Sequence, residues 1–443
     1  MLASMGMRRF AVYVCAAIAI SVVGVGAIAH GDAPGAAPAP ISGLTLEQAI
    51  ELALTRNERA QISDLNIAVA DAGVLKAKVA FLPVLSAAGS DTWAPFDKSP
   101  RDTAKGSLTV SQPLITPSAF PLYSQAKQLL ASQRAQTIDD KRLLAYDAAR
   151  AFFAVLLADK VVQAAQRKLE TAKADVADTT AQFKAQLVSS NDVTRAQVTE
   201  ADTERELASD SGSLDAAYVQ LEFTINAVVV RNLVEPTAML AAGQAPPGNP
   251  EPLIAQGLAH RPDLIARARA ADAAHDFARE PHMRFFPTLG IAATAQTQST
   301  PIQGDGHDVD ASVILSAGWA IYDAGSRDAD ERSRTAQAEI ADLTTATLRR
   351  SVDQQVRTAI AQLAAAQQAM GGAKDSMDAA RKSADETAIL YKQGLAKAIE
   401  LVDANNDRFS AEVSYAEAEF TVATAYLALR QAIGLDPVGP ETK

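Results

Sequence analysis

Glu400 and Asp403 are spaced so that a helix would carry both carboxylates on one face. Repeated by symmetry around a narrow opening, such a pair would make a ring of negative charge that selects cations. The plainer reading is a solvated acidic face, and spacing alone leaves both open. Little else in the 443 residues could do covalent or metal chemistry. The five histidines, His30, His260, His275, His282 and His307, are scattered, and His275 and His282 stand two turns apart with no cysteine near them. Zinc-type sites draw their ligands from tighter groups. No glycine-rich loop follows a strand pattern and no nucleophile elbow occurs; Gly371-Gly372 falls within a helical pattern, where it marks a bend. These residues predict no enzyme, no cofactor and no metal site. The net charge of −11 argues against nucleic acid as a partner, because displacing counterions needs clustered positive charge.

The first residues read as an address. Arg8 and Arg9 precede an apolar run from Phe10 to Ile28, broken by Ser21 and closed by Ala27-Ile28-Ala29, a small-x-small cleavage pattern. Residues 1–29 are therefore expected to be a removed export signal, against the alternative of a retained anchor. The single cysteine, Cys15, lies inside this run and would leave with it; Val12-Tyr13-Val14 before it is no lipobox. Residues 30–43, rich in Ala and Pro, read as a flexible segment. No later stretch is long and apolar enough for a spanning helix, so any membrane crossing would be made by strands of a closed barrel.

Proline placement organises the remainder. Residues 122–235 and 302–436 contain none, and both windows are rich in Ala, Gln, Leu, Lys, Arg and Glu. Helices from about Pro121 to Phe183 and from about Ser326 to Tyr391 would each span on the order of 90–100 Å. Ala148, Phe152, Val155, Ala158 and Val162 have coiled-coil spacing. Between the helical regions the period changes to two. Val309, Ala311, Val313, Leu315, Ala317, Trp319 and Ile321 alternate with mostly small or polar residues from Asp308 to Tyr322, and Thr288–Gln298 repeats the pattern. A weaker pair runs from Val84 to Trp93 and from Lys105 to Leu114. Phe81, Trp93, Phe285, Phe286 and Trp319 fall near the strand ends, where interfacial aromatics belong.

The chain is also two copies of one pattern. Leu54–Pro83 and Leu258–Pro287 keep one offset (54 to 258, 83 to 287), and Phe183-Lys184-Ala185-Gln186-Leu187 matches Tyr391-Lys392-Gln393-Gly394-Leu395. The expected division is a first repeat at 44–230 with a hairpin at 81–115 and a tip at 186–192, a linker at 231–251, a second repeat at 252–436 with a hairpin at 286–322 and a tip at 394–400, and a tail at 437–443. Thr45 with Gln48 makes a capping box at the start of the first repeat. One chain then supplies four strands. Four cannot close a barrel, while three chains supply twelve, which can. A homotrimer follows from the strand count.

Leu44-Thr45-Leu46-Glu47-Gln48-Ala49-Ile50-Glu51-Leu52-Ala53-Leu54, Arg261-Pro262-Asp263-Leu264, the paired Phe81-Leu82-Pro83 and Phe285-Phe286-Pro287, Gln112-Pro113-Leu114, and Trp319-Ala320-Ile321-Tyr322-Asp323-Ala324-Gly325 together resemble the TolC-like outer-membrane efflux proteins. The likeness covers about Gly43 to Leu435. Ile115-Thr116-Pro117-Ser118 departs from it, replacing the usual aspartate-glycine turn, and no acylated cysteine is present. The resemblance implies a mainly α fold with a small β part: a coiled-coil barrel continued by a 12-stranded barrel in the homotrimer. It implies passive exit across the periplasm and the outer membrane of a Gram-negative cell, for cargo brought by a periplasmic adaptor and an inner-membrane pump. At the tips it implies an acidic gate ring at Glu400 and Asp403. It also implies entrance-closing contacts through Asp192, Tyr391 and Lys397, with Ala396 where the family carries a basic residue. Adaptor-docking residues would be Leu187, Val188, Gly394, Leu395 and Ala396, for which plain hairpin packing is the alternative. Two other classes compete: a periplasmic coiled-coil adaptor or tether without a barrel, and an envelope enzyme. The duplicated hairpins oppose the first, and the missing catalytic constellation opposes the second.

Overall fold

The proline-free windows become two helices of 66 and 67 residues, each about 100 Å long at 1.5 Å per residue. In chain order the elements are α1 (Leu46–Arg56), α2 (Glu58–Val79), β1 (Val84–Ala94), β2 (Arg101–Ile115), α3 (Ala119–Lys184), α4 (Ser190–Ile225), α5 (Thr237–Gly243), α6 (Pro250–His260), α7 (Pro262–Ala278), α8 (Glu280–Met283), β3 (Thr288–Ser299), β4 (His307–Gly318), α9 (Ser326–Lys392) and α10 (Ala398–Ala432). The computed structural model describes residues 41–94, 101–299 and 307–439. The expected export signal at 1–29, residues 30–40 of the flexible segment, the hairpin-loop residues 95–100 and 300–306, and residues 440–443 of the tail lie outside the described residues.

The four strands form one antiparallel sheet in the order β1-β2-β3-β4. The β2–β3 pairing joins the two hairpins, with Val110 opposite Ala293 and Leu108 opposite Ala295. Residues directly opposite share a face, so register sorts the side chains. One face carries Leu85, Ala87, Leu108, Val110, Ile291, Ala293, Val313 and Leu315. The other carries Ser86, Ser107, Thr109, Thr294, Gln296, Asp310, Ser312 and Ser316, with a 3.1 Å contact between the Thr109 and Thr294 hydroxyls. Val313 is 71% exposed, so the greasy face is uncovered within the protomer.

Strand ends follow the prolines. β1 and β3 start immediately after Pro83 and Pro287, residues with no N–H for a ladder. β4 accordingly stops at Gly318, opposite Thr288, instead of continuing to the expected Tyr322. Trp319 lies beyond the strand and donates its indole N–H to the Phe285 carbonyl at 3.0 Å. β2 runs longer than expected, from Arg101 to Ile115, with a register shift between Pro113 and Ile115.

The repeat is visible in backbone detail. Asn57 and Arg261 occupy equivalent helix starts, and their side chains donate to the last-turn carbonyls of the two returning helices, Thr224 at 2.8 Å and Ala432 at 3.2 Å. Just past the ends of those helices the chain turns through Asn226 and Gly434, both with positive φ. A Cβ at Gly434 would lie 3.0 Å from Arg261 Cγ, which accounts for glycine there. The segment expected as a linker, 231–251, contains α5, whose Leu240 joins a hydrophobic core made by both repeats. The end of the expected flexible segment is paired too: Ile41 exchanges backbone hydrogen bonds with Val228 and Val230.

Two hydrophobic cores hold the helices. The first gathers Leu46, Tyr146, Phe152, Phe153, Leu221 and Leu427; the second gathers Val352, Val356, Leu363, Leu429 and Ile433. Of the spaced α3 residues, Ala148, Phe152, Val155 and Val162 are buried, and Ala158 packs at the margin. The Thr45–Gln48 capping box is formed at 3.2 and 3.3 Å. Below the sheet, buried Glu280 accepts from Arg284 and Arg334, and Arg284 also reaches Asp330 at 2.7 Å, tying the start of β3 to α9.

Candidate functional site

The ends of the two long hairpins, α3–α4 and α9–α10, carry every residue expected to gate or dock. Each turn is built the same way. The long helix ends in a Schellman motif, with Leu187 N–H bonded to the Gln182 carbonyl and Leu395 N–H to the Leu390 carbonyl, both at 2.9 Å. The left-handed residue this requires is Gln186 (φ 59°) in one tip and Gly394 (φ 74°) in the other. The returning helix then starts from Ser189 or Lys397. The turns therefore occupy 185–189 and 393–397, tighter than the expected 186–192 and 394–400, and Asp192 and Glu400 belong to helices.

Asp192 and Glu400 take equivalent places three residues into those helices. Asp192 accepts from the Ser189 backbone N–H at 3.0 Å and its hydroxyl at 2.8 Å. These bonds hold its carboxyl below the usual carboxylate range. Glu400 accepts from the Lys397 N–H at 3.3 Å. Within one chain, then, Asp192 caps its own helix and does not meet Tyr391. The Tyr391 hydroxyl contacts the Gln182 side-chain oxygen at 3.3 Å, a bond from α9 to α3 that links the two hairpins. Glu400 and Asp403 are both exposed on the first turns of α10. Leu187 and Leu395 are 75% and 72% exposed.

The tips enclose a cleft of about 1260 Å³ whose walls include Gln182, Leu187, Asp192, Tyr391, Ala396 and Lys397. Val188 and Gly394 also border it, whereas Leu395, Glu400 and Asp403 lie outside. Of the expected tip residues, Asp192, Tyr391 and Lys397 thus border one space, which the two candidate ring acids do not line.

Sequence reasoning missed what ties the hairpins together above the tips. Glu412 of α10, 9% exposed, accepts from Arg167 of α3 at 3.1 Å, Arg381 of α9 at 3.1 Å and Arg408 of α10 at 3.2 Å. Burial alone would raise its pKa, but the three guanidinium hydrogen bonds more than offset this and hold it below its usual value. Closer to the tips, Asp175 of α3 is half-buried and borders the cleft, and burial together with the like charge of Asp178 pushes its carboxyl up to about 6. The only signal in the sequence was the register of antiparallel α3 and α10, in which 167 faces 412.

A model of the outer membrane efflux protein family matches residues 49–227 and again 253–435. The chain belongs to that family. Among curated relatives, the outer membrane efflux protein BepC of Brucella suis is 26% identical over 252 residues, covering 54% of this chain and 53% of BepC. Protein CyaE of Bordetella pertussis is 30% identical over 188 residues, covering 41% of this chain and 39% of CyaE. The matches span about half the length of these relatives, or less. The fold is that of solved outer-membrane channels. CusC superposes with a TM-score of 0.77 at 16% identity, covering 88% of this chain and 92% of CusC. The open-state MtrE channel of Neisseria gonorrhoeae gives 0.75 at 20% identity, covering 88% and 89%. This efflux-family chain is mainly helical with one small antiparallel sheet, and family membership places it in the outer membrane with its helices reaching into the periplasm.

Proposed function

We propose that the protein is the exit duct of an efflux or type I secretion assembly and acts without catalysis. In this reading the sheet lines the outer membrane, the long helices cross the periplasm, and cargo arrives from an inner-membrane pump through a periplasmic adaptor. The sheet carries the reading. Its four strands leave β1 and β4 as unpaired edges and one face uncovered and apolar. In lipid every backbone donor and acceptor needs a partner, so both edges must be closed by neighbours. Three chains joined β4 to β1 make a twelve-stranded barrel, with the apolar face toward lipid and the Ser, Thr and Gln face toward the lumen. The two repeats, 44–230 and 252–436, would then each furnish one sixth of the tunnel wall.

At the entrance we assign Glu400 and Asp403 to a carboxylate ring, supported by their exposure beside the tip and their shared helical face. Asp192, Tyr391 and Lys397 are assigned to closing contacts around the tip cleft. The exposed Leu187 and Leu395, with Val188, Gly394 and Ala396, are assigned to adaptor docking.

The duct reading is tested by fractionation and bilayer recording of the purified chain. A heat-modifiable trimer in the outer membrane that conducts in planar bilayers is expected. Recovery as a soluble periplasmic monomer would replace the duct with a tether. For the ring, Glu400→Ala with Asp403→Ala should lower cation preference and block by trivalent cations, and unchanged selectivity would remove that assignment.

A further inference from the structure

Two helix faces lack a partner within the protomer, and they belong to the two sheet edges. On α2, Ile62, Leu65, Val69, Ala72, Lys76 and Val79 step by three and four, the spacing of a coiled-coil seam. All are exposed, Leu65 and Val69 to 64% and 71%. The chain's own α3 takes the other side of this helix, where Ala60 and Ser63 are buried and the Thr137 hydroxyl donates to the Ser63 carbonyl at 2.9 Å. α9 meets α7 through Arg334, which donates to the Phe277 carbonyl at 3.3 Å. It leaves open a groove of about 510 Å³ lined by Asp328, Glu331, Arg332, Thr335, Ala336 and Glu339. α2 leads into β1 and α9 follows β4, so joining β4 of one chain to β1 of the next brings these two helices side by side.

The internal repeat supplies the packing. α3 and α9 are matched helices beginning at Ala119 and Ser326, and α2 matches α7 by the offset that takes Leu54 to Leu258. Within one chain α3 packs on α7: the Ser124 hydroxyl donates to Asp276 at 2.6 Å, and that of Ser132 to the Ala266 carbonyl at 2.8 Å. Carried across the repeat, these contacts become Glu331 beside Ala72 and Glu339 beside Ile62, and both α2 residues belong to the exposed stripe. One turn farther from the sheet than the first pair, Thr335 meets Val69; one turn nearer, Asp328 meets Lys76. Lys76 is the one charged residue of the stripe. Across from it the carboxylates of Asp328, Glu331 and Glu339 outnumber Arg332, which lies at the level of Ala72, so the groove is net negative. Lys78 and Asp71, the other charges near Lys76 on α2, lie off the stripe. Among the described residues no ion pair engages Lys76 or the three acids.

We propose that α2 of one chain and α9 of a second copy form a helical seam beneath the sheet, in which Lys76 sets register and self-recognition by pairing with Asp328 and Glu331. The seam rests on the edge-joined trimer of the duct reading and adds a helical contact that strand pairing does not specify. The apolar residues of the stripe supply burial. A lone lysine at a seam position selects register and oligomer state at some cost in stability. Here a slip of one turn away from the sheet sets Lys76 against Arg332, and a slip of one turn toward it sets Lys76 at Gly325, before the helix begins. Only the register predicted by the repeat gives the lysine an acid. A chain without acids at that level is refused, because like or unpaired charges across an interface select against the wrong partner.

The seam is read by disulfide trapping in the full chain. Val69→Cys with Thr335→Cys, in a Cys15→Ser background, should on oxidation give a covalent band of three chains on a denaturing gel, since each chain offers one cysteine to each neighbour. Either cysteine alone should not. Lys76→Glu sets like charges against one another and should lower the trapped fraction several-fold. Adding Asp328→Lys and Glu331→Lys to that variant should restore it. Trimers that conduct but are never trapped, or disulfides confined within single chains, overturn the seam and leave the duct reading standing. Trapping unchanged by Lys76→Glu, or a loss that the swapped charges do not restore, overturns the part assigned to Lys76. Recovery of the wild-type chain as a monomer alone would remove the duct reading, and the seam with it.

Discussion

Replacing Glu412 by glutamine removes the charge from a carboxylate that three helices share while keeping its shape. The arginines approach at 3.1, 3.1 and 3.2 Å. A hydrogen bond to a charged group contributes about 1.5–3 kcal/mol when water is excluded. Here the carboxylate is 9% exposed but the arginines are 41–55% exposed, so water competes for the cations and each link is nearer the surface range of about 0.2–1 kcal/mol. Allowing for links that do not add, Glu412→Gln should weaken the seam by about 1–2 kcal/mol. That is roughly a 5- to 30-fold loss of protection if the region opens as a unit. Amide hydrogen exchange of peptides around Arg167 and Glu412 reads it directly, with the second core around Val356 and Leu363 as an internal reference. The effect must also depend on pH. Glu412 is held below its ordinary value of 4.5, so its contribution is present above that value and is lost as pH falls through the lower folded-state value. Wild type and variant should therefore converge in acid. Equal protection at neutral pH, or a loss spread evenly over both cores, would refute the idea that this node holds the hairpins together.

Three further tests separate the parts of the structure. Gly394→Ala places a side chain at φ 74° and should destabilise the second tip by about 1 kcal/mol, while Gln186→Gly should relax the first; exchange rates of the tip amides compare them. Tyr391→Phe removes the hydroxyl that reaches Gln182 and should raise single-channel conductance in bilayers without lowering trimer yield; unchanged conductance would remove Tyr391 from the closing contacts. Val313→Arg puts a charge on the apolar face and should cost about 2–4 kcal/mol near mid-membrane, whereas Ser312→Arg on the opposite face should be tolerated; equal trimer yields would show that the faces are assigned wrongly.

How legible each feature was depends on the range of the interaction that makes it. The long helices were readable because proline absence is local, and their observed ends at Lys184 and Lys392 fall one residue from the expected ones. Alternation at Val309–Ala317 gave the second hairpin, but its far end depended on where the partner strand lost its donor at Pro287, a cross-strand effect. At the tips, matched spacing exposed the repeat, yet the sequence did not show that Asp192 is used by Ser189 of its own helix. Glu412 carries no motif at all. Its three arginines come from three helices, and only the packed register brings Arg167 and Arg381 to it.

The distribution of side-chain size along the bundle indicates which end of the protein can move. On α3 the buried residues from Leu144 to Leu156 include Tyr146, Phe152, Phe153 and Val155, whereas beyond Val162 they are Ala164, Ala165, Ala172 and Thr179. α10 shows the same gradient, with Phe420, Tyr426, Leu427 and Leu429 toward one end and Leu401, Ala404 and Ala411 toward the tip. α9 repeats it, from Val352, Val356 and Leu363 to Met377 and Ala384. Burial stabilises roughly in proportion to apolar area, so separating large side chains is costly and separating alanines is not. Small residues also leave the polar contacts a larger share of the tip's cohesion, and such contacts can be altered by a proton or by a partner's charge. A protein built this way stays firmly assembled where its cores lie and yields at the tips, as a tunnel closed at its periplasmic mouth would require.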